Sequence, residues 1–354
     1  MKILDRYIGR QVVAATASVL LVLLAIFAFF TFIDELEELG RGNYGLAKVA
    51  LVVVLRLPGL AYELLPIAAL IGALLGLGTL AERNEIAVVR AAGVSRAHLV
   101  RAVMQAGALF VLLAVLLGEW VYPPAERQAQ AIRALAQSDR VSARSTRGFW
   151  ARDGASFINI GEVLPGDIFK DITILEFDAE QRLRVATAAD QAHYTDGRWV
   201  LEGIAQTHFE DAVPSARRLE RAAWNSLLDP ELIGMVAVNP ATLSLLDLKR
   251  YVDFVESNGQ SAQRWEHALW AKLGYPFATG VMVFLAIPLV LGAVRTPTSG
   301  RRVLIGAAIG LAFHVLNQAA GHLGVVFGVP AALSALGPTV VLLAAGLMLH
   351  RQTR

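Results

Sequence analysis

Long apolar runs broken by short polar loops fill the first third and the last quarter of the chain, and the middle follows a different pattern. A bilayer's hydrocarbon core is about 30 Å thick, and roughly 20 helical residues cross it. Six runs reach that length: 12–33, 57–80, 102–121, 273–294, 303–324 and 330–349. The pattern predicts an α-helical polytopic membrane protein with six transmembrane helices. The first run is too long for the apolar core of a signal peptide, and no small-x-small cleavage site follows it, so it is expected to be retained as a helix.

Between the third and fourth runs the period shortens. Segments 156–163, 168–177, 183–189, 199–209 and 218–227 are rich in Ile, Val, Thr, Phe and Trp. Turn signals separate them: Pro165-Gly166, Asp178, Asp196-Gly197 and Pro214. Short, evenly spaced strands predict a sandwich or jelly roll. Residues 123–140 read as a helical continuation of span three. Ser244 with Asp247 forms a capping box ahead of a Leu245, Leu248, Val252, Val255 stripe, and Gly259 fits the helix stop. The expected division is 1–122 for spans one to three, with a cytoplasmic helix at about 82–95. Residues 123–268 form an inserted periplasmic β-jelly-roll domain with flanking helices, and 269–354 hold spans four to six.

Composition supports the membrane class: 55% of residues are apolar and only 18% charged. Charge then sets orientation. Lys2, Arg6 and Arg10 precede span one, Arg83, Arg90, Arg96 and Arg101 follow span two, Arg295, Arg301 and Arg302 follow span four, and Arg351 and Arg354 end the chain. The intervening loops are acidic or uncharged. Basic loops stay inside, so both termini are expected in the cytoplasm and the β domain in the periplasm. There is no cysteine, so that domain relies on its own core rather than on disulfides.

The chain shows no engine. None of its five lysines (Lys2, Lys48, Lys170, Lys249, Lys272) is followed by Ser or Thr, so there is no phosphate-cradling P-loop. Its seven histidines have no zinc-ligand spacing, and no Gly-x-Ser-x-Gly is present. A non-catalytic subunit without a cofactor, metal or nucleic-acid partner is expected.

The most informative loop runs from Glu82 and Arg83 to Arg96. Asn84 can cap a short helix, Glu85 suits its first turn, Arg90 its last, Gly93 its left-handed stop, and Ser95 can cap the next helix. Ile86, Val89 and Gly93 fall on one narrow apolar face. The segment reads either as a helix docking into a groove on a soluble ATPase or as a solvated hairpin.

Several strings carry a resemblance. They are the opening Leu4-Asp-Arg-Tyr-Ile-Gly-Arg, the span-two run from Leu65 through Gly78, the loop from Glu85 through Ser95, Gly118-Glu-Trp-Val, Gly148-Phe-Trp-Ala-Arg-Asp-Gly, Leu269-Trp-Ala-Lys-Leu with Pro276, and Phe327-Gly-Val-Pro. In order and over nearly the whole chain, they resemble the LptF/LptG permease subunits of the lipopolysaccharide export ABC transporter, and the opening favours the LptG branch. The resemblance implies a Gram-negative inner-membrane subunit that pairs with a sister permease, LptF, and sits on an LptB ATPase dimer. That partner would bind ATP and Mg. A transmembrane helix of LptC would insert beside the permeases. Lipopolysaccharide would leave the inner membrane and pass through the β domain to an LptA-type bridge. The loop would be a coupling helix, with Glu85 at its acidic position and Glu82, Arg83, Ile86, Val89, Arg90 and Gly93 around it.

Spans one and five would form the lateral gate. His314, Asn317, Gln318 and His322 make span five polar, and polar groups at membrane depth normally face protein or water. They fit a gate or an interhelical hydrogen-bond network. Phe27, Phe29, Phe30 and Phe32 of span one could line an acyl-chain cavity or face lipid. Gly72 with Gly76 and Gly306 with Gly310 suit close helix packing. Asp34, Glu35, Glu37 and Glu38 make the outer end of span one acidic, where a phosphorylated lipid calls for cations. Arg41, Arg133, Arg140, Arg144 and Arg147 are the nearest bases, either phosphate contacts or a solvated face. The gate set is thus Phe27, Phe30, Asp34, His314, Asn317 and Gln318. Competing readings are another ATPase-coupled lipid- or lipoprotein-releasing or mechanotransmitting permease, a secondary transporter, and an envelope scaffold.

Overall fold

The computed structural model describes residues 2–137, 149–164, 168–178, 180–195, 198–209, 214–224, 240–257, 260–292 and 298–352. Before the strands come α1 (Lys2–Leu36), α2 (Leu46–Glu82), α3 (Glu85–Ala91), α4 (Arg96–Leu116) and α5 (Tyr122–Gln137). After them come α6 (Leu245–Ser257), α7 (Gln263–Leu291), α8 (Ser299–Phe327) and α9 (Ala331–Gln352). Among the described residues, six helices are long and apolar enough to cross a membrane: α1, α2, α4 with α5, α7, α8 and α9. They overrun most of the apolar cores read from sequence. At 37 residues α2 is about 55 Å long, so its ends project well beyond the hydrocarbon. Residues 293 and 294 of the fourth run lie outside the described set.

The bundle is built around α2 and α7, whose most apolar windows are 78% and 67% buried, while those of α1 and α8 are only 11% and 17% buried. Val12, Leu70, Ala73, Leu77, Val103, Met282 and Ala286 form its centre. Both glycine pairs seat neighbouring helices. A Cβ on Gly72 would lie 2.3 Å from Thr16 Cα, and one on Gly76 would lie 3.0 Å from the Gln11 carbonyl, so α1 rests on bare α2 backbone. Gly306 and Gly310 meet Ile71 and Ile67 in the same way, which seats α8 on α2.

Span three continues into α5 as the sequence predicts, but through a π-helical turn, Leu117–Val121. Pro123 and Pro124 begin α5 and carry no N–H. The carbonyls of Glu119 and Trp120 therefore lose their α-helical donors, and the turn widens, with Tyr122 N–H reaching back to Leu117.

Among the described residues the insert holds a six-stranded antiparallel sheet in sequential order: β1 (Phe149–Asp153), β2 (Ser156–Leu164), β3 (Ile168–Phe177), β4 (Leu183–Thr195), β5 (Arg198–His208) and β6 (Ser215–Trp224). β1 is absent from the sequence reading. It is short and lacks alternation, yet Asp153-Gly154 is a hairpin signal, and Gly154 takes a positive φ of 59°. The turn at Asp178 is held by its carboxylate, which accepts from the Glu180 and Arg182 amides at 3.1 and 2.8 Å. The turns at Pro165-Gly166 and Asp196-Gly197, the Gly259 stop, and residues 225–227 of the last predicted strand lie outside the described residues.

Across β3, β4 and β5 the buried positions jump by three instead of two: Phe169 to Ile172, Ala189 to Ala192, Leu201 to Ile204. The jumps lie on one transverse row, Gly161, Asp171, Asp190 and Gly203. Asp171 and Gly203 have φ of 53° and 67°, and a Cβ on Gly161 or Gly203 would strike the neighbouring aspartate side chain. This seam folds the strands so that both halves turn an apolar side inward. β2 and β6 consequently line one small apolar hollow, with Ile158, Ile160, Phe169, Trp199, Leu201 and Trp224 among its walls. The insert is a rolled, apolar-lined sheet connected as a plain meander.

α6 begins as expected, with the Asp247 amide donating to Ser244 Oγ at 3.2 Å. Burial alone would raise the Asp247 carboxyl, but the Ser244 hydrogen bond and Arg127 together hold it below the usual carboxylate range. The apolar face of α6 is Leu248, Tyr251, Val252 and Val255, with Leu245 only half-buried.

Candidate functional site

At the basic end of the bundle α3 hangs between α2 and α4. It is shorter than the predicted 82–95, because α2 itself runs to Glu82 and α4 starts at Arg96. Ser95 caps α4, accepting the His98 amide at 3.3 Å. Gly93 is the left-handed stop, with φ of 89°. Asn84 differs from expectation. Its φ is 58°, and its side chain accepts no capping bond. The two-residue turn after α2 demands a left-handed residue, which Asn tolerates, and that geometry takes the carboxamide away from the α3 amides.

The apolar face of α3 is also turned differently. Ile86 is buried and Val89 packs beside it, both against the bundle core with Leu80 and Leu99. Gly93 is exposed. The face left outward is Ala87, Val88, Arg90 and Ala91, with Val88 67% exposed. Glu85 accepts the Tyr7 hydroxyl at 2.8 Å, and Arg83 lies 4.0 Å away. Glu82 pairs with Arg302 of α8 at 2.8 Å, the guanidinium lying on bare Gly78. His98 Nε2 lies 2.6 Å from Asp5 Oδ1 of α1. The expected coupling residues thus come together, tied to spans one and five.

α1 and α8 show the emptiest faces. Phe27, Phe29 and Phe30 are exposed, while Phe32 turns inward to pack with Tyr44, Val49 and Val52. On α8, Gln318 and His322 are exposed, and His314 and Asn317 half-buried. Gln318 Nε2 lies 3.3 Å from His314 Nε2. An amide and two imidazoles along an outward face at membrane depth call for a protein or aqueous neighbour beyond this chain.

At the opposite end the acidic residues of span one find intramolecular partners. Glu35 is only 2% exposed, and it accepts Arg56 Nη1 at 2.6 Å and the Tyr44 hydroxyl at 2.8 Å. Arg133 of α5 reaches Glu35 at 3.5 Å and Glu38 at 3.2 Å, and Arg41 pairs with Glu38 at 2.6 Å. Burial and the Glu35 hydrogen bond push the Tyr44 phenol up to about 12. Arg41 and Arg133, read as phosphate contacts or a solvated face, are thus each paired with a carboxylate, Arg41 remaining largely exposed, and Asp34 is exposed as well. Arg140, Arg144 and Arg147 lie outside the described residues. Among those described, no three or more His, Asp or Glu side chains converge as metal ligands would.

Sequence reasoning missed Arg56, Tyr7 and Lys272. Lys272 donates to the Leu243 carbonyl, and its partner Glu119, at 3.7 Å, caps the first amide of α6 at Leu245. A charge set in an apolar run is the signal that could have found Lys272 and Arg56.

Comparison with known proteins gives a consistent result. The lipopolysaccharide export system permease LptF/LptG family matches residues 6–352. The lipopolysaccharide export system permease protein LptG of Haemophilus influenzae is 32% identical over 341 residues, 96% of this chain and 95% of that protein. LptG of Escherichia coli K12 is 32% identical over 340 residues, 95% and 94%. LptF of Escherichia coli K12 is 25% identical over 307 residues, 84% and 80%.

Proposed function

The chain belongs to the lipopolysaccharide export permease family LptF/LptG, and from that premise we propose how its geometry serves export. It is an inner-membrane permease subunit that pairs with an LptF-type sister along the open faces of α1 and α8. The sister covers the exposed phenylalanines and the His314, Asn317, Gln318 row, and the two subunits enclose the lipid between them. ATP and Mg are bound by an LptB-type ATPase outside this chain, on the cytoplasmic side with both termini. An LptC-type helix completes the membrane assembly. An LptA-type bridge receives lipopolysaccharide from the periplasmic β domain, residues 123–268, while residues 1–122 and 269–354 supply the spans.

The observation that carries the ATPase contact is α3. Its inward residues bolt it to spans one, two and three, and its outward face of Ala87, Val88, Arg90 and Ala91 is uncovered among the described residues. Movement of α3 then displaces α1 and the adjoining end of α2, which the Glu82–Arg302 pair ties to α8, so the enclosed cavity narrows. Each acyl methylene that leaves the bilayer costs about 0.8 kcal/mol without an apolar substitute. The hollow of the rolled sheet offers such a substitute.

The test is reconstitution in liposomes with the sister permease and the ATPase. Val88→Asp is expected to lower ATPase copurification at least tenfold while the two permeases still pair. Undiminished copurification and lipid release would remove α3 as the docking element.

A further inference from the structure

α1 is exposed through its outer half and yet fastened at both ends. At the inner end, Ile8 and Val12 are buried in one cluster with Leu80, Ile86 and Leu99. The Tyr7 hydroxyl reinforces them by donating to Glu85, and His98 Nε2 approaches Asp5 to 2.6 Å. Between the fastenings Leu21, Val22, Ile26, Phe27 and Phe30 lie bare.

The outer end is tied by the Glu35 knot. Its carboxylate is almost fully buried and receives Arg56 from α2, Tyr44 from the α1–α2 loop and Arg133 from α5. Three carboxylates (Glu35, Glu38, Glu126) balance three guanidiniums (Arg41, Arg56, Arg133). The same loop hydrogen-bonds α5 through its backbone, Asn43 N–H to the Ala136 carbonyl at 2.8 Å. α5 is the helix that leads from span three toward β1.

We infer that α1 is a two-ended transmission element, with Tyr7 positioning it on α3 at one end and Glu35 positioning α5 on it at the other. Displacement of α3 moves α1, and the knot passes that movement to α5, the last described helix before β1. The acidic outer end of span one is thus a joint rather than a lipid-phosphate site. A buried carboxylate surrounded by partners on three segments holds its geometry firmly, because losing one partner leaves a charge uncompensated. The inference rests on the proposed coupling through α3.

The experiment compares Glu35→Gln and Arg133→Gln with the parent, each reconstituted with the sister permease and ATPase. ATP hydrolysis and lipid release to a soluble acceptor are read together. The expected result is hydrolysis within twofold of the parent and lipid released per ATP lowered at least fivefold, with Glu35→Asp recovering part of the loss. The chain has no cysteine, so a disulfide between Asn43→Cys and Ala136→Cys tests the joint without those side chains. A joint that stays closed leaves release intact in the oxidised form. Blocked release on oxidation, or an unchanged lipid-to-ATP ratio in Glu35→Gln and Arg133→Gln, overturns the inference. Should a Glu35 variant fail to assemble, the disulfide alone decides. A parent complex without ATP-dependent release would instead sink the proposed function itself.

Discussion

Single side chains decide what the acidic cap of span one does. Glu35 is buried with Arg56, Arg133 and Tyr44, which turns an apparent mismatch with a phosphorylated lipid into a structural joint. Tyr44 reports on it. Its phenol titrates near 10 in an unfolded chain and at about 12 in the folded one. A raised pKa favours the neutral form in the fold, so this contribution to stability is intact below pH 10 and is lost as pH rises through 12. Unfolding of detergent-solubilised protein, followed across that window, should show a steeper loss for the parent than for Tyr44→Phe. Parallel curves would mean that the phenol is not held as described. Legibility at this scale was uneven. Ser95 and Gly93 act through local backbone rules and were readable. Asn84 was read as a cap but serves a left-handed turn set by how α2 ends. Arg56 and Tyr7 acquire roles only from partners 21 and 78 residues away.

At the scale of elements, the proline pair does more than continue a helix. Pro123 and Pro124 leave carbonyls without donors, and the resulting π turn aims Glu119 at the start of α6. Replacing both by Ala restores the donors, so the turn should tighten to α and withdraw Glu119 from Leu245. Hydrogen exchange should then show at least tenfold lower protection of the Leu245 amide. Unchanged protection would separate the turn from the cap. Helix existence was legible here because 20-residue apolar runs have few other fates. β1 and the seam were not, since a five-residue strand has too little pattern, and the seam appears only when Gly161, Asp171, Asp190 and Gly203 are aligned across four strands.

For the whole molecule the β domain gives the clearest test of a lipid route. Ile158, Ile160, Leu201 and Trp224 share one apolar hollow, whereas Ala188 is exposed on β4. A photo-crosslinking side chain at Trp224 should capture lipopolysaccharide only when ATP is supplied to the assembled complex, and one at Ala188 should not. Equal capture at both positions would exclude the hollow as the route. By itself the sequence determined the membrane class, the six spans, the β insert and the short helix between spans two and three. All of these follow from periodicity and local backbone preference, which act within a few residues. Tertiary structure alone decided which face of α3 looks outward, that Arg41 and Arg133 are paired with carboxylates, and that α1 is fastened at both ends. Those outcomes depend on which distant charges and apolar faces meet, and no local pattern encodes such a meeting.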